Sequence, residues 1–125
     1  MVGIVIVSHS QKLAEGVVEI SRMMSNAPIA PAGGLEGGEL GTSYEKILHA
    51  IESVDSGDGV VVMMDMGSAV MTTEMVLENL QRSDVVMIDC PLVEGAVLAA
   101  VESAGGKTLA EILRLVESAR TTKKF

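Results

Sequence analysis

Aromatic residues are nearly missing: no tryptophan, one tyrosine and one phenylalanine among 125 residues. The chain therefore has no stacking platform for single-stranded nucleic acid. Positive charge is also scarce. Nine Lys and Arg face 17 Asp and Glu, for a net charge of −8 with the histidines neutral. Such a surface repels phosphodiester backbones and argues against nucleic acid as a partner. The single cysteine, Cys90, excludes an intrachain disulfide and a multi-cysteine zinc site. Although 48% of residues are hydrophobic, no apolar run reaches the ~20 residues a membrane-spanning helix needs. Neither a basic leader nor a cleavage site precedes the first polar loop, so the cytoplasm is the expected compartment.

Strand-like apolar runs alternate with helix-like segments. "VGIVIV" (Val2 to Val7) is β-branched and continuous, as in a strand buried on both faces. Ser10 can cap a helix from Gln11 to Met24 whose apolar positions Leu13, Val17, Ile20 and Met24 keep helical spacing. "NAPIAPAGG" holds a weak second strand around Ile29, and its two prolines suit an edge position. Thr42 and Glu45 form a capping box for a helix to about Val54. "VVVMMD" (Val60 to Asp65) is a second strong strand, and Ser68 can cap a helix from Ala69 to Gln81. "DVVMI" (Asp84 to Ile88) is a fourth strand, followed by a helix with Pro91 in its first turn. Thr108 and Glu111 cap a terminal helix, and "TTKKF" reads as a frayed tail. Residues 1–125 thus form one domain without repeats or linkers. The expected fold is a three-layer α/β/α sandwich around a four-stranded parallel sheet. With the weak strand at an edge and the two strongest strands as central neighbours, the order is 2-1-3-4.

Ligands of such sheets bind beyond the carboxyl ends of the strands, where the strand order reverses. His9 lies just past the first strand and Asp65 ends the third. Each precedes a helix start, where free N–H groups and a positive dipole gather. This predicts a His–Asp pair facing an anion. Neutral imidazole is a nucleophile near pH 7, and a carboxylate holding Nδ1–H leaves the Nε2 lone pair outward. The plainer alternative is a surface histidine and a turn aspartate that never meet.

Other constellations are weaker. "AGGLEGG" lacks the spacings of the dinucleotide and P-loop fingerprints, so no nucleotide cofactor is expected. Thr42 and Ser43 end that glycine-rich loop and can lend hydroxyls to the site, although capping alone explains Thr42. Asp89 ends the fourth strand and suggests a His–Asp–Asp metal cluster, but turn duty fits as well and no metal is assigned. Cys90 reads as a small buried residue, and His49 as a solvated helix residue. Met66 and Met71 flank the expected site, where flexible side chains suit docking of more than one partner.

"VGIVIVSHS", "GTS" (Gly41 to Ser43), "VVVMMDMGSA" (Val60 to Ala69) and "PLVEGA" (Pro91 to Ala96), in this order, resemble the DhaM family. DhaM proteins are phosphotransferase subunits of bacterial phosphoenolpyruvate-dependent dihydroxyacetone kinases, similar to mannose-type IIA domains of the sugar phosphotransferase system. The resemblance implies a phosphohistidine at Nε2 of His9, with Asp65 holding Nδ1–H. It assigns Gly67 and Ser68 to the phosphoryl oxygens, and Ala69, Thr42 and Ser43 join them as candidate phosphate-binding residues. It also implies phosphate from phospho-HPr, transfer to ADP on a DhaL subunit, dihydroxyacetone held by DhaK, a homodimer, and no cofactor or metal. The chain ends after the IIA-like part, so a separate phosphate carrier is expected. Alternatives are a IIA domain feeding a sugar permease and a regulatory module that binds an anion without covalent chemistry. A receiver-type domain phosphorylated on Asp65 would need an acidic pair after the first strand, and none is there. No arginine lies in the site loops, and Lys12 is the nearest cation in sequence.

Overall fold

A computed structural model describes residues 1–125. Four parallel strands, β1 (Gly3–Ser8), β2 (Ile29–Gly33), β3 (Val60–Met64) and β4 (Val85–Met87), run in the order β2-β1-β3-β4. The helices are α1 (Gln11–Met24), α2 (Tyr44–Val54), α3 (Gly67–Leu80), α4 (Leu92–Ala104) and α5 (Leu109–Glu117). A 3₁₀ turn, Ser118–Arg120, follows α5. The three-layer fold and its strand order agree with the sequence reading.

Strand alternation builds two cores. Ile4 and Ile6 of β1 with Val61 and Met63 of β3 face α1, α4 and α5. Val5 and Val7 with Val60 and Val62 face α2 and α3. All eight are 0% exposed, which is why the central strands read as continuous apolar runs. Each such side chain contributes about 1.5–3 kcal/mol by leaving water.

The β2 edge is closed chemically. Arg22 Nη2 donates to Ile29 O (3.1 Å) and Lys46 Nζ to Gly33 O (3.0 Å). Pro31, between those two residues, has no N–H to offer a further strand.

Several boundaries differ from expectation. On α1 the buried face is Ala14, Val17, Val18 and Ser21. Leu13 and Ile20 are each 43% exposed and Met24 60%. The helix sits too close to β2 for large residues: a Cβ on Gly33 would lie 2.7 Å from Ala14 Cβ and 2.5 Å from Ser10 O. The α2 cap is Ser43, which accepts from Lys46 N at 3.2 Å, rather than Thr42. Helix α3 starts two residues before the expected Ala69, so Ser68 lies inside it and Met66 is its N-cap, without a side-chain bond. Pro91 is the N-cap of α4 rather than part of its first turn. The Thr108–Glu111 capping box is present. In the tail, Lys124 pairs with Glu94 at 3.0 Å.

Candidate active site

The ladder between β1 and β3 sets the site. Val7 pairs with Met64, and Asp65 N continues the ladder to Val7 O at 3.2 Å. The next residues on the two strands, Ser8, His9 and Asp65, therefore meet at the switch point. Asp65 Oδ1 accepts from His9 Nδ1 (2.9 Å) and Met66 N (2.8 Å). Asp65 Oδ2 accepts from Ser8 Oγ (2.8 Å) and His9 N (3.0 Å). An ionised carboxylate only accepts, so Nδ1 carries the ring proton. In the neutral ring Nε2 then holds the lone pair, and Ser68 Oγ donates to it.

Burial alone would push the Asp65 carboxyl up. The bonds from His9 N, Ser8 Oγ, His9 Nδ1 and Met66 N outweigh it and hold the group below its ordinary 3.8. Four donors leave this carboxylate little capacity for a metal or an incoming phosphoryl group. A receiver-type role for Asp65 therefore has no support. The ring stays open to partners: the His9 side chain is 23% exposed against 14% for Asp65.

Helix α3 points its start at Nε2. Gly67 and Ser68, its first residues, have no carbonyl a turn earlier to bond, and both are exposed. Ala69 differs from the sequence assignment. It is fully buried, and its N–H donates to Met66 O at 3.0 Å. The first tight turn of α3 thus takes that donor away from an anion.

Thr42 and Ser43 hold the frame. Thr72 Oγ1 donates to Ser68 O at 3.0 Å, so in the 2.8 Å contact with Thr72 the Thr42 hydroxyl is the donor. Ser43 caps α2. The glycine-rich loop is fixed to the site backbone by Gly34 N to Ser8 O (3.1 Å) and Gly41 N to His9 O (2.9 Å). Gly34 has φ +68° and Gly41 φ +146°, conformations that favour glycine.

The remaining candidates lie outside this cluster. His49 is exposed and lines a 390 Å³ groove with Gln11, Glu15 and Lys46. No three His, Cys, Asp or Glu side chains are grouped as metal ligands. Asp89 faces Arg120 at 3.9 Å. Burial, with Asp89 nearby, pushes the Cys90 thiol up to about 11, so it is not a thiolate nucleophile. Its Sγ occupies the space a Cβ on Gly95 would need, 2.4 Å away. Met66 and Met71 are 63% and 68% exposed. Beside them a 500 Å³ cavity opens between Asp65, Met66, Val70, Met87 and Cys90. Ser8 was missed in the sequence. Its only signal is a serine ending an otherwise apolar strand.

No Lys or Arg bonds to His9, Asp65 or Ser68. Lys46 is held by the carbonyls of Gly33 and Leu35, each at 3.0 Å. The groups bonded to Asp65 and to Nε2 are all N–H and O–H donors.

The chain belongs to the family described as the PTS system fructose IIA component, whose family model matches residues 3–113. Within it, the chain is similar to proteins named DhaM. It is 36% identical over 116 residues to the phosphotransferase subunit DhaM of the PTS-dependent dihydroxyacetone kinase of Lactococcus lactis, covering 92% of this chain and 93% of that one. It is 42% identical over 121 residues to the phosphoryl donor subunit DhaM of the PEP-dependent dihydroxyacetone kinase of Escherichia coli, covering 90% of this chain. The chain spans only about a quarter of that longer relative (26%). Among solved structures, a protein of unknown function, EF1359, superposes with a TM-score of 0.85 at 31% identity, covering 100% of this chain and 99% of that one. A sigma-54 interaction domain protein from Enterococcus faecalis superposes with a TM-score of 0.69 at 16% identity, over 94% of this chain and 88% of its own, and shows the shared fold. No helix is long and apolar enough to cross a membrane.

Proposed function

We propose that the protein is a phosphoryl carrier of a dihydroxyacetone kinase system, with His9 as the transient phosphate acceptor. The single observation that carries this reading is the ring of His9, held at Nδ1 by Asp65 and facing Ser68 and the start of α3 with Nε2. The names of the DhaM relatives supply the system.

In the loading step the Nε2 lone pair attacks the phosphorus of phospho-HPr. A new N–P bond forms, the donor's N–P bond breaks, and the donor nitrogen takes back its electron pair. The Nδ1 proton stays in place, so the phosphorylated ring carries a positive charge that the Asp65 carboxylate balances. Ser68 Oγ–H and the N–H groups of Gly67 and Ser68 face the phosphoryl oxygens at a helix start. Thr42 and Ser43 act one step away, by holding the loop and α2. In the unloading step an oxygen of ADP on a DhaL-type subunit attacks phosphorus, and Nε2 recovers its lone pair. The ATP so formed supports phosphorylation of dihydroxyacetone held by a DhaK-type subunit. Residues 1–125 act as a IIA-like domain in the cytoplasm, as a homodimer and without a cofactor. Exposed Met66 and Met71 give the docking partners an adaptable apolar surface.

Incubation with phosphoenolpyruvate, enzyme I and HPr should add one acid-labile, base-stable phosphate to the wild type and none to His9→Ala. Equal labelling of both would falsify the assignment. Transfer of the label to ADP on DhaL, rather than to a IIB domain of a sugar permease, separates this role from the permease role. Because no Lys or Arg bonds to His9, Asp65 or Ser68, basic residues of HPr and DhaL should dock over His9. Raising salt from 0.05 to 0.5 M, across which the screening length falls from above ~10 Å to below ~8 Å, should slow both transfers. Rates flat across that series would remove the electrostatic part of the reading.

A further inference from the structure

The Ser8 side chain is fully buried, yet both of its hydrogen-bonding functions are in use. Its Oγ accepts from Ser10 N at 3.0 Å and donates to Asp65 Oδ2 at 2.8 Å. The direction is settled chemically. A backbone N–H can only donate, so the hydroxyl proton points to the carboxylate.

We propose that Ser8 is a positioning residue that fixes the rotation of the Asp65 carboxylate and thereby the tautomer of His9. Two successive residues, Ser8 at the end of β1 and His9 just beyond it, act on one carboxylate. Ser8 Oγ and His9 N hold Oδ2, which leaves Oδ1 to Met66 N and the ring. Without the Ser8 hydroxyl, Oδ2 keeps a single main-chain donor and the carboxylate can turn about its Cβ–Cγ bond. Met66 N then competes with the ring for an oxygen that no longer faces Nδ1 squarely. Proton loss from Nδ1 to Nε2 follows, and an Nε2–H ring has no lone pair to offer phosphorus.

The same serine links the α1 start to the pair. The chain Ser10 N–H, Ser8 O–H, Asp65 carboxylate is a run of aligned donors, and each polarises the next. The N-terminal field of α1 thus acts on Asp65 through Ser8, whereas that of α3 acts at Nε2 directly.

The role as phosphate acceptor comes from the proposed function, but the tautomer is read without phosphate. Ring ¹⁵N spectra of unphosphorylated wild type and Ser8→Ala, taken above the imidazole titration, should show an Nδ1–H ring in wild type. Ser8→Ala should show a mixture with Nε2–H. Labelling from phospho-HPr should slow about tenfold, on the scale of one hydrogen bond to a charged group. An Nδ1–H ring in Ser8→Ala as complete as in wild type overturns the proposal, whatever the rate. If Ser8→Ala does not fold, Ser8→Cys carries the test, because its thiol keeps the shape but donates weakly. Unchanged tautomer there overturns the proposal equally. If wild type shows the Nδ1–H ring but takes no phosphate, the phosphoryl-carrier reading fails while the role of Ser8 stands or falls on the spectra alone.

Discussion

Helices α1 and α3 both start at the carboxyl end of the sheet, within reach of His9, yet their first turns are built differently. The start of α1 is closed: Ser10 Oγ accepts from Leu13 N at 3.1 Å, and the Gly33–Gly34 turn packs over it. The start of α3 is open: Met66 offers no side-chain cap, and Gly67 has no neighbour within 4 Å of where a Cβ would be. A capped start stabilises its own helix and has less to give an anion. An uncapped start forgoes about 1 kcal/mol of helix stability and keeps its donors for a ligand. The difference separates the helix that holds the site from the helix that serves it.

The sharpest way to break this division is at the group between the two helices. Asp65→Asn should lower the labelling rate roughly 10⁴-fold, on the scale of losing a tautomer-fixing carboxylate in hydrolytic triads. A fall of less than tenfold would show that the ring orients itself. The same substitution tests stability. Because the folded Asp65 carboxyl titrates below 3.8, its contribution is present above that value and is lost as pH falls through the lower folded value. Acid unfolding curves of wild type and Asp65→Asn should therefore converge at the lowest pH, separate as pH rises through the folded value toward 3.8, and stay separated above it.

Next in size is the open helix start. Ser68→Ala should slow labelling by about tenfold or more, since a hydrogen bond to a charged group is worth roughly 1.5–3 kcal/mol. Its melting temperature should stay within about 2 °C of wild type, because an exposed serine is replaced by a better helix former. The smallest effect belongs to the closed start. Ser10→Ala should cost about 1 kcal/mol in denaturant unfolding and leave the labelling rate within about twofold. If Ser10→Ala slowed transfer as much as Ser68→Ala, the two starts would be equivalent and the comparison would collapse.

The framework was legible because it depends on long-range patterns. Continuous β-branched runs mark the two central strands, and two prolines mark the edge, so the order 2-1-3-4 follows. The adjacency of His9 and Asp65 follows from that order. What could not be read depends on a one-residue frame. Thr42 and Ser43 are equally good caps in sequence. The structure uses Ser43 because the Thr42 hydroxyl is drawn to Thr72 across the site. Ser68 looks like a cap only if α3 begins after it, yet the ladder bond of Asp65 N lets the helix begin at Gly67. Leu13 and Ile20 follow helical spacing as well as Ala14 and Ser21 do. The short distance to Gly33 decides which face turns inward. Ser8 was silent because a serine at a strand end is ordinary until the neighbouring strand brings a carboxylate to it.

The saturation of Asp65 has a consequence for chemical selectivity. With both carboxylate oxygens engaged by donors and Nδ1 bearing its proton, the site presents one nucleophilic lone pair to an electrophile. A small phosphoramidate that reaches the rim therefore meets a regioselective target at Nε2. The other ring nitrogen and the neighbouring acid are masked by the fold.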